Sequence, residues 1–186
     1  ILYKHDIYLV GYWQSEKYFI KHESAIRKDF TFLRKMTHQN AVIAEQMKQT
    51  NSVSIHVRRG DYVTSPSANT IIGYLPLQYY NDAIELIASK ISSPIFYIFS
   101  DDLEWSKKNI SSQQSCIFID HNKNNPPEDM RLMSICKHNI IANSSFSWWG
   151  AWLNSNKNKI VIAPKKWINN PAYQNNDITP DTWITI

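Results

Sequence analysis

The run Ile95-Phe96-Tyr97-Ile98-Phe99 contains no charged residue and no alternation of apolar with polar side chains. Five β-branched and aromatic residues are too few for a buried helix, so the run reads as a strand covered on both faces. Such a strand belongs in a mostly parallel sheet flanked by helices. It stops abruptly at Ser100-Asp101-Asp102. The same pattern occurs earlier, where Ser52-Val53-Ser54-Ile55-His56-Val57 gives way in one step to Arg58-Arg59-Gly60-Asp61-Tyr62.

Helix-period segments separate the strands. The spacing predicts helices over 23–36 and 39–49, the second burying Val42, Ile43, Gln46 and Met47 in one stripe. A long connection over 63–76, containing Pro66 and Gly73, has the length of a functional loop. Pro76 then opens a helix whose Leu77, Tyr80, Ile84 and Ile87 face a sheet. Further helices are expected over 103–110, 129–137 and 146–154, the last with Phe146, Trp149 and Leu153 on one side. Further strands are expected over 116–119, 139–142 and 159–163. Residues 1–20 read as strand or turn, and the tail as irregular. Strands alternating with helices make βαβ units, hence an α/β fold with a Rossmann-like, doubly wound, mostly parallel sheet. The domain begins at 52 and runs to 186, with 1–51 a helical or irregular segment before it.

With 186 residues, 43% hydrophobic, the chain suits one compact α/β unit, or one and a partial second. Its net charge of +4 is dispersed among carboxylates, which suits an anionic small molecule better than nucleic acid, whose binders cluster their cations. Cys116 and Cys136 lack CxxC spacing and read as buried thiols in a reducing compartment. No secretory signal and no membrane-spanning apolar run is visible, so the chain reads as cytoplasmic, with at most peripheral association at the inner face of a membrane.

In open α/β sheets, ligands bind beyond the carboxyl ends of the strands. Three polar clusters sit there: His56 to Tyr62, Ser100 to Asp102, and Asn143 to Ser147. Arg58 and Arg59 are a candidate pyrophosphate clamp, since a guanidinium fork matches phosphate oxygens and keeps its charge. Gly60 would let the backbone turn close to that ligand. The competing reading is a solvated loop held by an Arg–Asp ion pair. One of Asp101 and Asp102 caps the helix at Leu103, leaving the other to accept hydrogen bonds from a guanine edge or sugar hydroxyls. Ser144 or Ser145 either caps the next helix or joins its open N–H groups in holding phosphate. The tryptophans at 148, 149 and 152 read as core rather than sugar platforms. Gly-rich phosphate loops are absent, so arginine and a helix end would have to neutralise a nucleoside diphosphate.

These blocks resemble the α-1,2-fucosyltransferases of glycosyltransferase family 11, of bacterial type. The resemblance rests on His56-Val57-Arg58-Arg59-Gly60-Asp61-Tyr62, on Phe99 to Asp102 with Trp105, and on Leu132 to Asn139 running into Ala142 to Trp152. It extends back to Gly11-Tyr12-Trp13-Gln14 and Lys17-Tyr18-Phe19. It implies the nucleotide-binding half of a GT-B glycosyltransferase, with GDP-fucose as donor, a galactose-terminated glycan as acceptor, and inverting transfer to the 2-hydroxyl. No cofactor and no metal is implied. Arg58 would grip the β-phosphate with Arg59 in support, His56 and Asp101 or Asp102 would lie near the guanosine, and Ser145 to Ser147 near the pyrophosphate. Tyr62, Asn143, Ser144 and Phe146 complete the donor contacts so implied. Asp61 and His56 are nearest the clamp as candidate bases, although Asp61 can equally pair an arginine. The family's Gly-Gly-Leu-Gly-Asn-Gln segment is missing from this sequence, so 1–51 is expected to join an N-terminal portion, and this piece alone to bind GDP weakly without transfer. The alternative is a non-catalytic nucleotide- or sugar-binding module.

Overall fold

The computed structural model describes Tyr8, Val10 and residues 15–173 and 177–186. The Gly11 to Gln14 block and most of the strand-or-turn expectation for 1–20 therefore lie outside the described residues; within them Glu16–Tyr18 and Ile20–His22 are 3-10 turns rather than strand. The helices are α1 Glu23–Asp29, α2 His38–Gln49, α3 Gly60–Thr64, α4 Pro66–Ile71, α5 Leu77–Lys90, α6 Leu103–Asn109, α7 Pro126–Ile135 and α8 Ser145–Leu153. The strands are β1 Asn51–Val57, β2 Pro94–Ser100, β3 Cys116–Phe118, β4 His138–Ile140, β5 Val161–Ala163 and β6 Ile184–Thr185. Among the described residues they form one parallel sheet in the order β3-β2-β1-β4-β5-β6. The chain runs outward from β1 to β3, then returns to β4 on the other side of β1. That reversal opens a crevice at the carboxyl ends of β1 and β4, the usual ligand position of such sheets.

Both faces of β2 are covered, as its apolar run demands. Phe96 and Ile98 pack with β1 and with Tyr80, Ala83, Ile84 and Ile87 of α5. Tyr97 and Phe99 face the opposite way, against Ala44 and Met47 of α2 and Leu132 and Met133 of α7. Trp148 and Trp152 of α8 are buried with Ile141, Val161 and Trp183. Trp149 stacks on Phe19 and Phe30 at 5.5 and 4.6 Å, so its ring is occupied by protein rather than open to a sugar.

Several local expectations are corrected. The helix expected over 23–36 stops at Asp29, where the aromatic and β-branched residues Phe30 and Thr31 lose rotamer freedom in a helix. The buried stripe of α2 is Asn40, Ala44 and Met47, while Val42 is 46% exposed and Gln46 also faces solvent. The stripe is rotated because Asn40 is tied into a buried polar network, described below. The connection after Arg59 is largely helical, Ser65 capping α4 with Pro66 at its first turn. Helix α7 starts at Pro126 rather than Asp129. The tail contributes β6, secured by Lys165 N–H donating to Ile186 O and Ile186 N–H to Ala163 O. Two residues are too few to show a strand period.

Strand β4 carries an amide into the core. Asn139 Nδ2 donates to Ser54 Oγ (2.7 Å) and Met133 O (2.9 Å), and its Oδ1 accepts from Asn154 Nδ2 (2.8 Å). Asn139→Leu would remove three buried hydrogen bonds, leaving Ser54 Oγ and Met133 O without this donor while Asn154 Nδ2 keeps Cys136 O, and is expected to cost about 2–3 kcal/mol of stability, measurable as a shift of the urea midpoint. No described helix is long and apolar enough to cross a membrane.

Candidate functional site

The register of the two central strands builds the site. Val57 is paired with Ser100 in the parallel ladder, so the residues after them, Arg58 and Asp101, emerge side by side. Arg58 Nη1 lies 2.8 Å from Asp101 Oδ2, and Nη2 lies 2.6 Å from Asp61 Oδ1 one helical turn further on. Its guanidinium also stands 5.2 Å from the Tyr62 ring centroid. Asp101 accepts a second bond, from the Arg59 backbone N–H at 2.8 Å. Gly60 is what allows this: a Cβ there would lie 2.5 Å from Asp101 Oδ2. The close approach expected at Gly60 is thus to a carboxylate of this chain.

A cavity of about 810 Å3 opens beyond these residues. Of the candidate site residues, His56, Arg58, Tyr62, Asp101, Asp102, Ser144, Ser145 and Phe146 line it. The other candidates lie elsewhere. Asp61 holds Arg58 from the side. Arg59 is turned away, its guanidinium 3.9 Å from the Trp105 ring and its Nε 3.4 Å from Asp102 Oδ2. Trp105 sits on α6, and its large ring captures the cation. Ser147 Oγ is buried and donates to Ala142 O and Ser144 O. Asn143 donates from Nδ2 to Gly73 O and Trp167 O and faces a different cavity. Asp102 is the helix cap, accepting from Trp105 N–H as well as pairing with Arg59, and Asp101, expected to be left to a ligand, is instead held by Arg58 and the Arg59 N–H.

At the other side of the cavity, α8 begins at Ser145. The Ser144 side chain makes no capping bond, and the first intrahelical bond runs from Trp148 N–H to Ser144 O. The amides of the first turn and the positive end of the helix dipole are therefore available to an anion.

His56 is only 6% exposed and its Nδ1 has no hydrogen-bond partner among the described residues. Burial, with the nearby Arg58 charge adding, pushes its pKa down to about 3. The ring is neutral at pH 7 and a weak base there, which argues against His56 as general base. The folded state then binds fewer protons than the unfolded chain between pH 6.5 and 3. Stability is accordingly expected to fall by about 1.4 kcal/mol for each pH unit of acidification in that window. His56→Gln should remove the His56 share of the slope, leaving what half-buried His138 adds with the same sign, read from urea midpoints at pH 7 and pH 5.

Sequence reasoning missed the far wall, formed in part by Asp120, Asn122, Lys123 and Asp129. Asn40 Nδ2 donates to Asn122 Oδ1 and Glu128 Oε2, both at 3.0 Å, and Asn122 Nδ2 donates to Asp129 Oδ1 at 2.9 Å. Burial raises the Asp129 pKa, and the Asn122 amide opposes it. The available signal was Asp120-His121 just beyond the third strand, in the position of the other polar clusters. Among the described residues, no group of three or more His, Cys, Asp or Glu side chains is arranged to hold a metal ion.

A parallel Rossmann-like sheet, with an anchored arginine and an open helix start facing one cleft at its switch point, defines an α/β protein with a cleft of ligand size in the usual ligand position of such sheets. The chain belongs to Glycosyl transferase family 11, whose sequence profile matches residues 3–186. It is 38% identical to an Escherichia coli alpha-1,2-colitosyltransferase over 98% of this chain and 63% of that protein. It is 41% identical to the Escherichia coli O-antigen biosynthesis glycosyltransferase WbnK over 75% of this chain and 46% of that one. The human galactoside alpha-(1,2)-fucosyltransferase 1 is 26% identical over 78% of this chain and 42% of its own length. The chain thus spans about half to two thirds of the bacterial relatives it matches. The solved structure of E. coli ADP-heptose LPS heptosyltransferase II aligns with 83% of this chain and 44% of that one, at 11% identity and a TM-score of 0.48.

Proposed function

We propose that this chain is the donor-nucleotide half of a GT-B α-1,2-glycosyltransferase that moves fucose from GDP-fucose to the 2-hydroxyl of a terminal galactoside, with inversion, without a metal, and in the cytoplasm. The observation that carries the reading is Arg58, held on two sides by carboxylates and sharing one cavity with the uncapped start of α8. Family membership and the relatives' names support the type of reaction.

The cavity wall is mostly acidic, with Asp101, Asp102, Glu104, Asp120 and Asp129 against Arg58 and Lys123. A pyrophosphate therefore belongs at the Arg58 and α8 end, while the carboxylates suit the N–H donors of a guanine edge and the hydroxyls of the sugars. As the acceptor oxygen bonds to the anomeric carbon, the bond to the β-phosphate breaks and negative charge grows on the departing GDP. Arg58 and the α8 amides stabilise that charge, each well-placed donor lowering the barrier by about 3 kcal/mol. Since burial makes His56 a weak base and Asp61 is paired with Arg58, neither is suited to take the acceptor proton, and in this reading that proton leaves late in the reaction.

Calorimetry with GDP, ADP and UDP tests the donor reading on this chain: GDP should bind and the other two should not. Equal affinity for all three, or none, would defeat it. A second reading, with colitose as the sugar transferred, is favoured by the 38% identity with the colitosyltransferase. Transfer assays of a full-length protein containing this chain, with both GDP-sugars and lactose, decide between them.

A further inference from the structure

Helix α4 ends at Ile71, and the last carbonyl oxygens of any helix need donors from outside its own ladder. The tail supplies them for Asn69, Ile71 and Ile72. Asn169 N–H donates to Ile71 O (3.0 Å) and Ile72 O (3.1 Å), Asn170 N–H donates to Ile71 O (3.0 Å), and Asn169 Nδ2 donates to Asn69 O (3.1 Å). Gly73 lets the tail come this close. Its φ of +77° lies in the left-handed region that glycine enters freely, and a Cβ there would run into the Asn169 side-chain amide.

Asn143, just beyond β4, fastens the same two segments together. Its Nδ2 donates to Gly73 O (2.8 Å) and to Trp167 O (3.2 Å). The residue is buried and its Oδ1 accepts no hydrogen bond among the described residues, so donation to these two carbonyls is what the amide contributes. Residues 167–170 therefore lie across the end of the α3–α4 insert, bonded to it directly and through Asn143.

The insert carries two of the groups around Arg58. Among the described helices and strands, α3 and α4 pack mainly on each other, so the bonds at the end of α4 bear on where α3 sits. Asp61 of α3 lies 2.6 Å from Arg58 Nη2, and the Tyr62 ring centroid stands 5.2 Å from the guanidinium. The Tyr62 hydroxyl returns to Asn143, donating to its carbonyl oxygen at 3.4 Å. Gly73, Asn143 and Asn169 do not line the cavity of Arg58, so any influence they have on it is transmitted through the insert.

We propose that residues 167–170 strap the α3–α4 insert in place, with Asn143 and Asn169 as positioning residues that set Asp61 and Tyr62 against Arg58. That the position so fixed serves a bound diphosphate rests on the function proposed above. The strap itself rests on these hydrogen bonds.

The test is arginine side-chain NMR of the whole chain without ligand. It reads the Nε–H signal of Arg58, assigned by its loss in Arg58→Ala, beside that of Arg131, which is bonded to Glu128 and Arg34 O on α7 and serves as reference. Asn143→Asp replaces the donating nitrogen with oxygen and leaves at least one carbonyl without its partner, while Asn169→Ala, at an exposed position, removes the bond to Asn69 O. Both are expected to move the Arg58 signal toward its position in Asp61→Ala and to leave the Arg131 signal in place. By calorimetry, Asn143→Asp should weaken GDP binding about fivefold in the otherwise unsubstituted chain, and by less than about twofold when Asp61→Ala is already present, because the route through Asp61 is then gone. An Arg58 signal unmoved in both variants, an Arg131 signal that moves with it, or the same loss of GDP affinity in both backgrounds would overturn the strap. If GDP fails to bind the unsubstituted chain while the Arg58 signal alone responds, the donor reading falls and the strap stands.

Discussion

Arg58→Ala is expected to weaken GDP binding by about 100-fold, the equivalent of about 3 kcal/mol, with the melting temperature nearly unchanged. The guanidinium is the cation placed between β1 and the helix start at Ser145, and its two carboxylate partners hold it before any ligand arrives. That anchoring reduces the side-chain freedom lost on binding, which is where an arginine's affinity is usually spent. The fold should survive, because Arg58 caps no helix and its side chain is one third exposed. Arg58→Lys keeps the charge but cannot reach both carboxylates and a phosphate with one ammonium, so it should recover only part of the affinity. Arg59→Ala should leave GDP affinity close to that of the unsubstituted chain, since that side chain lies on Trp105. Calorimetry on the three variants beside thermal melts checks the set, and an Arg58→Ala chain that bound GDP normally would end the clamp assignment.

Gly60→Ala is expected to lower GDP affinity by tenfold or more, although no side chain of the ligand site is removed. Alanine is ordinarily a better helix residue than glycine, so a change at the first position of α3 should be harmless in isolation. Here the added methyl would sit 2.5 Å from Asp101 Oδ2, and the carboxylate must withdraw. Arg58 then loses one anchor and the Arg59 N–H loses its acceptor, and bonds of this charge-assisted kind are worth about 1.5–3 kcal/mol each. The collision has a distinct signature. In Asp101→Ala the methyl meets the remaining Cβ at an ordinary 3.8 Å, so the double variant should bind GDP no worse than Asp101→Ala alone. Additive losses would show that Gly60 serves some other purpose.

The parts of this fold that were legible in advance are those where one physical demand dominates. Ile95 to Phe99 had to be covered on both faces, and α2, α5 and α7 cover it. That Arg58, Asp101 and Ser144 to Phe146 would line one cavity was legible because the carboxyl ends of parallel strands share one edge of the sheet. What failed did so where competition between partners decides the outcome. No spacing rule shows that Arg59 prefers the Trp105 ring to the cavity, or that Ser147 turns to the backbone. The rotation of α2 was hidden because Asn40, a polar residue, takes an inward position that a hydrophobic count assigns to Val42 or Gln46. Asn143 was placed with its sequence neighbours, yet adjacent residues at a strand end point to opposite sides, and it faces the other cavity.

Because Arg58 and Asp101 stand together only through the one-to-one alignment of Val57 with Ser100, the anion-accepting geometry is assembled by strand pairing itself. A slip of a single position would send the guanidinium and the carboxylate to opposite faces while barely altering the helical content. If the cleft takes a nucleotide as proposed, that affinity doubles as a gauge of whether the two central strands have zipped in the correct alignment, and it would detect misfolded material that circular dichroism passes as native.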